Sequence, residues 1–211
     1  MGNKIKLTRK EREKELHKME ILESAIKIFS KYGYADATVE KIAKDCQFGK
    51  GSLYIYFPSK KILFIESFKY ALREFYNETS NSLKKGKTLK EKLTCYTIVL
   101  INFFNEKKAW FMLLENAFYN KHLDKQVKKA YDIQLLKFAE QLAILFRKEY
   151  NKGNGDLLNP SFLAQLFNHY IYLFLHQDKL QKKFITPDQY EKIAKELVTF
   201  FFQGFNHYVR I

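Results

Sequence analysis

Between Thr38 and Lys60 two short apolar patterns of helical period lie only three residues apart. Val39, Ile42, Ala43 and Cys46 form the buried face of the first, Leu53 and Phe57 that of the second, and Gln47-Phe48-Gly49 joins them. A linker that short forces the two helices to cross at a steep angle, with Phe48 as the plug in the corner. Thr38 is placed to cap the first helix, and Glu40 in its first turn favours the helix dipole. The second helix opens on Lys50-Gly51-Ser52, small and basic, and closes on Tyr54 and Tyr56. Pro58 disfavours helical geometry at Phe57, and Ser59 is placed to cap a new helix at Lys60. A segment of this construction can lay its second helix in the major groove of DNA.

Helical periodicity continues on both sides. Upstream, Ile21, Leu22, Ala25, Ile28, Phe29 and Tyr32 recur at helical spacing, and Gly33 stands where a C-terminal cap belongs. Before them, residues 3–18 read as a basic, mixed-charge arm without an apolar stripe, frayed in the free protein. Downstream, Thr88 with Glu91 fits a capping box, Asn159-Pro160 an N-cap followed by proline, and Thr186-Pro187-Asp188-Gln189 combines the two devices. These signals predict helices over about 60–84, 88–105, 107–120, 123–151, 160–177 and 187–208. With only 3 Pro and 8 Gly in 211 residues, turn-formers are scarce. The fold class expected is all-α: an N-terminal three-helix helix-turn-helix domain and a larger C-terminal helical domain. The expected organisation is a basic arm (1–18), the helix-turn-helix domain (19–64) and a larger helical domain (65–211).

The formal charge of +14 favours a polyanionic partner, nucleic acid or an anionic surface. Residues 1–61 hold 14 Lys and Arg against 8 Asp and Glu, so charge is denser there without being confined to it. Cys46 and Cys95 suggest neither a disulfide framework nor a zinc site, and His122, His169 and His176 lack ligand spacing. No metal and no cofactor is expected. The charged N-terminus does not read as a signal peptide, and the longest apolar runs fall short of a membrane span. A cytoplasmic protein with no membrane partner is the expectation.

The ordered set Ile21-Leu22, Ala25, Phe29, Gly33-Tyr34, Thr38-Val39, Ile42-Ala43, Lys50-Gly51-Ser52-Leu53-Tyr54, Tyr56-Phe57 and Ser59-Lys60-Lys61 resembles the N-terminal domain of the TetR family of transcriptional regulators. Two departures stand out. Gln47 occupies a turn position where the family most often has Gly, and Gly49 one where Ser or Thr is usual. The resemblance implies a homodimer on a palindromic operator in double-stranded DNA. It also implies that Tyr54 gives its hydroxyl to a phosphate and that Tyr56 contacts backbone or a thymine methyl. From the residues themselves, Thr38, Lys50, Gly51, Ser52 and Lys60 complete the candidate DNA contacts.

The last helix carries two apolar stripes. One is Ile193, Leu197, Phe200 or Phe201, Gly204 and Tyr208, and the other Ala194, Val198, Phe202 and Phe205. A helix apolar on two faces packs on two partners. With Phe162, Leu166, His169, Leu173 and His176 on the preceding helix, the first stripe is the expected dimer interface. Trp110, Phe111, Leu114, Phe118, Phe138, Phe167, Tyr170 and Phe174 are the expected lining of a pocket for a small, mostly apolar effector, with Glu115 as a polar anchor. The resemblance implies that residues 65–211 serve effector binding and dimerisation and that the chain is a ligand-released repressor. Two alternatives remain open at this point. One is a basic helical protein that binds nucleic acid without sequence preference, and the other a helical enzyme. Gly49-Lys50-Gly51-Ser52 lacks P-loop spacing, and no nucleophile–base set is evident.

Overall fold

The computed structural model describes residues 8–119, 125–150, 159–181 and 185–208. Among them the elements are α1 (Arg9–Asp36), α2 (Val39–Asp45), α3 (Lys50–Tyr56), α4 (Lys60–Ser82), α5 (Leu89–Asn105), α6 (Lys108–Tyr119), α7 (Lys125–Tyr150), α8 (Pro160–Gln181), a 3-10 turn (Pro187–Gln189) and α9 (Tyr190–Tyr208). No strand occurs among the described residues, and the all-α expectation holds. The helix borders fall within a few residues of those predicted. The capping residues explain this: Thr88 Oγ1 accepts from the Glu91 amide, Ser59 Oγ from the Ile62 amide, and Asn159 Oδ1 from the Ser161 amide.

The first helix differs from expectation. Residues 9–18 are not frayed but form the opening turns of a 28-residue helix. A capping box holds its start: Thr8 Oγ1 accepts from the Glu11 amide, and the Glu11 carboxylate accepts from the Thr8 amide at 2.8 Å. Those hydrogen bonds hold the Glu11 carboxyl below the usual carboxylate range. α1 kinks at Gly33, whose φ of 72° is open to glycine and strained for an L side chain.

The chain divides into two compact units. The first comprises residues 1–71 and 109–128, and the second 72–108 and 129–211. In the first, Ile21, Ala25 and Phe29 of α1, Ile42 of α2, Leu53 of α3 and Phe57 after it are buried. Leu53 is the pivot: it is buried on a seven-residue helix that has no other buried position. Truncating such a residue to alanine costs about 2–5 kcal/mol, more than a short helix can supply by itself. Lys27 reaches Asp45 at 2.6 Å and ties α1 to α2.

The turn from α2 to α3 is a Schellman motif. The Phe48 amide donates to the Ala43 carbonyl and the Gln47 amide to the Lys44 carbonyl, with Gln47 at φ 59°. The position where glycine would serve best thus carries a side chain in the left-handed region.

In the second unit α5 packs along α9 and against α8. Leu93, Tyr96 and Ile101 of α5, Leu142 and Phe146 of α7, Phe167 and Ile171 of α8, and Ala194 and Val198 of α9 share one core. Its polar members are satisfied: the Tyr96 hydroxyl donates to Asn168 Oδ1 at 2.6 Å. Burial raises the pKa of that hydroxyl. At the end of α5, Asn105 Nδ2 donates to the Ile185 carbonyl and to the Tyr190 hydroxyl, which itself donates to Glu106. That network fixes where α9 begins.

Candidate nucleic-acid interface

Leu53 and Phe57 turn α3 inward, and the opposite side of the helix is bare. Lys50, Gly51, Tyr54 and Ile55 are exposed, while Ser52 and Tyr56 are half-buried. A Cβ built on Gly51 would meet nothing within 4 Å. The fold therefore does not require glycine there, although glycine early in a helix costs about 1 kcal/mol relative to alanine. A close approach from outside does require it. Ile55, which did not figure among the sequence candidates, is 79% exposed. The signal was present in its position four residues after Gly51, on the same ridge.

The polar candidates are preorganised by neighbours. Lys50 pairs with Glu40 of α2. The hydrogen bond from Lys50 holds the Glu40 carboxyl below the usual carboxylate range, and Glu40 in turn raises the Lys50 ammonium. Lys50 is thus aimed from the start of α3 by a carboxylate that repels phosphate. Tyr56 lies 3.2 Å through its hydroxyl from Nδ1 of His17, and the His17 ring stands edge-on to Phe48 at 5.1 Å between centroids. The early turns of α1 are thereby held beside the end of α3. Only a contact spanning 39 residues reveals this, so spacing gave no hint of it.

Thr38 Oγ1 accepts from the Lys41 amide at 3.2 Å, and its hydroxyl is hydrogen-bonded to the Glu40 carboxylate, so its proton is already engaged inside the protein. Lys60 is engaged: its ammonium donates to the Ala35 carbonyl at 3.0 Å and lies 4.7 Å above the Tyr34 ring. Its side chain clamps the corner after α1, and what α4 offers outward there is its first backbone amides. Among the described residues no cluster of metal-ligating side chains occurs, and no helix is long and apolar enough to cross a membrane.

The effector candidates fall in both units. Trp110, Phe111, Leu114 and Glu115 belong to the first, where all four are half-buried and Trp110 stands 5.3 Å from Tyr70. The Phe118 side chain lies outside the described residues. In the second unit Phe138 is buried against Phe75 and Tyr76, whereas Phe167 is buried against Phe146 and Phe201. Tyr170 stacks on Phe200, and Phe174 packs on the core shared with Phe167. A cleft of about 440 Å³ opens between α4 and α7, lined by Tyr76, Ser80, Lys84, Gln141 and Ile144 among others, and by none of the nine effector candidates.

The interface candidates separate into outward and inward sets. Phe162, Leu166, His169 and Leu173 share one exposed face of α8, with Leu173 67% exposed. On α9, Phe200 is 66% exposed and Gly204 is open, while Ile193 and Phe201 are half-buried and Leu197 is in the core. The Tyr208 side chain lies outside the described residues.

The family model for bacterial regulatory proteins of the tetR family matches residues 21–66, the span from mid-α1 into α4. The uncharacterized HTH-type transcriptional regulator YuxN of Bacillus subtilis is 30% identical over 150 residues, 68% of this chain and 50% of that protein. The negative transcriptional regulator IcaR of the Staphylococcus aureus biofilm operon icaADBC is 42% identical over 52 residues, 25% of this chain and 28% of that protein. The chain spans half or less of the length of the curated relatives it matches. Among solved structures, the transcriptional regulator FadR of Bacillus subtilis in complex with stearoyl-CoA superposes with a TM-score of 0.69 at 19% identity, covering 85% of this chain and 96% of that one. With the family model matching its helix-turn-helix and a helix-turn-helix regulator 30% identical along 68% of its length, this chain belongs to the TetR family of bacterial regulatory proteins.

Proposed function

We propose that this chain is a sequence-specific transcriptional repressor that acts in the cytoplasm as a homodimer on a palindromic site in double-stranded DNA. In this reading a small, mostly apolar effector releases it. The observation that carries the reading is the bare side of α3, where Lys50, Gly51, Tyr54 and Ile55 face away from the core. Residues 19–64 are the reading head, and residues 65–211 serve dimerisation and effector binding.

One head offers too few contacts for operator specificity, so two are needed at a fixed separation. The exposed apolar face of α8, Phe162, Leu166 and Leu173, together with Phe200 of α9, supports a second copy as the partner. Repression is the sense favoured by the similarity to IcaR, a negative regulator. The aromatic richness of α6 to α8 and the stearoyl-CoA held by the similarly folded FadR support an effector with a large apolar part. Such an effector releases DNA only if it binds more tightly to the form whose heads are wrongly spaced. No chemical reaction is assigned to the chain.

The test is binding of a fluorescent duplex from the region upstream of its own gene, at about 0.2 M salt with an excess of unrelated DNA. Nonspecific attachment to phosphates is lost steeply under those conditions. Binding that survives the competitor supports the reading. Binding that vanishes with it supports the alternative of a nonspecific basic protein.

A further inference from the structure

An exposed isoleucine needs no explanation in general, because much of any protein surface is apolar. Ile55 is less easily dismissed. It is the most exposed large apolar side chain among the described residues, on a seven-residue helix where a β-branched residue has no propensity advantage. Gly51, one turn earlier on the same ridge, is a glycine with open space at its Cβ position. A helical side chain leans toward the helix N-terminus, so Ile55 overhangs the gap that Gly51 leaves. Tyr54 flanks that notch, and Lys50 stands at its head with its ammonium held by Glu40. The result is a shallow apolar notch, floored by backbone and walled by one aliphatic side chain, on the outward surface of the reading helix.

An isoleucine cannot bond a phosphate, so its contact must be with an apolar group. In the major groove the apolar group that distinguishes one base pair from another is the C5-methyl of thymine. We propose that Ile55, with Gly51 beneath it, is a specificity-determining residue that reads one thymine methyl in each half of the operator. The proposal rests on the reading that α3 enters the major groove, and deepens it by naming the group that is read. Tyr54 and Lys50 position the helix on the backbone, and Ile55 selects the base.

The test starts from a random double-stranded DNA pool, from which the full chain and its Ile55→Ala variant each select binding sites. In the site selected by the full chain, each thymine is then replaced in turn by deoxyuridine, which keeps base pairing and removes only the methyl. One symmetry-related thymine pair is expected to respond, with a loss of about four-fold in affinity per methyl removed, on the scale of one buried methylene. Ile55→Ala should bind the thymine and deoxyuridine duplexes equally and select sites with no thymine preference at that position. Its thermal midpoint should match the full chain's, because the side chain touches solvent. Ile55→Val, which keeps part of the surface, should give an intermediate response. Indifference of the full chain to every deoxyuridine overturns the proposal, as does an Ile55→Ala variant that still discriminates. If the full chain enriches no sequence at all, what fails is the reading of a sequence-specific regulator, and the assignment of Ile55 goes with it.

Discussion

Substitution at two residues of the helix-turn-helix should stabilise the protein in both cases and affect DNA binding in only one. Gln47 holds a φ of 59°, where an L side chain crowds its own carbonyl. Gln47→Gly relieves that crowding but gives the unfolded chain more freedom, so a net gain of about 0.5–1 kcal/mol is expected from urea unfolding. DNA affinity should change little, since the Schellman hydrogen bonds are made by backbone. Gly51→Ala should also stabilise the free protein, by up to about 1 kcal/mol of helix propensity with nothing to clash against. Yet it should weaken DNA binding, because the added methyl stands on the surface that must approach the duplex. A variant that gains stability and loses binding separates what the fold needs from what the site needs. Equal or better binding by Gly51→Ala would show that the duplex does not approach this ridge. A third case concerns Glu40: Glu40→Gln frees Lys50 from its carboxylate partner. Affinity for DNA of any sequence should rise, and the dependence of log affinity on log salt should steepen by about one per head.

The elements differ in how far the chain alone announces them. Helices that begin at Ser59, Thr88 and Asn159 were readable because a cap is local chemistry, complete within four residues. The start of α1 was equally local, since Thr8 and Glu11 form a capping box, but the lack of an apolar stripe in residues 9–18 argued for a frayed arm. That helix needs no stripe, because it continues into Ile21, Leu22 and Ala25 and is held from there. The Lys60 clamp and the His17–Tyr56 contact were not readable, because each joins residues far apart in sequence.

On α9 the sequence offered two apolar stripes, and the expectation gave the whole of the first, Leu197 and Phe201 included, to the dimer interface. Packing divides it: Leu197 enters the core, Phe201 meets Phe167, and Phe200 is left outward. This separates two substitutions one turn apart. Phe200→Glu, like Leu173→Glu on α8, should leave a folded protein that no longer associates, as read by light scattering and circular dichroism. Leu197→Glu places a carboxylate in the core and should unfold the second unit, a cost of several kcal/mol. A Phe200→Glu protein that remains a folded dimer would move the interface away from these two helices.

At the scale of the whole molecule the account reduces to geometry repeated by symmetry. In the proposed dimer, one head with one bare helix face is too small to select a genomic site by itself, and the exposed apolar face of α8 and α9 carries the second copy that supplies the other head. Effector control then requires only that the second unit prefer one separation of heads over another. Sedimentation of the chain with a duplex it has selected, at about 0.2 M salt with unrelated DNA in excess, tests this most directly. The account predicts a single complex of two chains on one duplex, lost on Tyr54→Phe or Gly51→Ala well before the protein unfolds. One chain per duplex, or a complex indifferent to both substitutions, would contradict it.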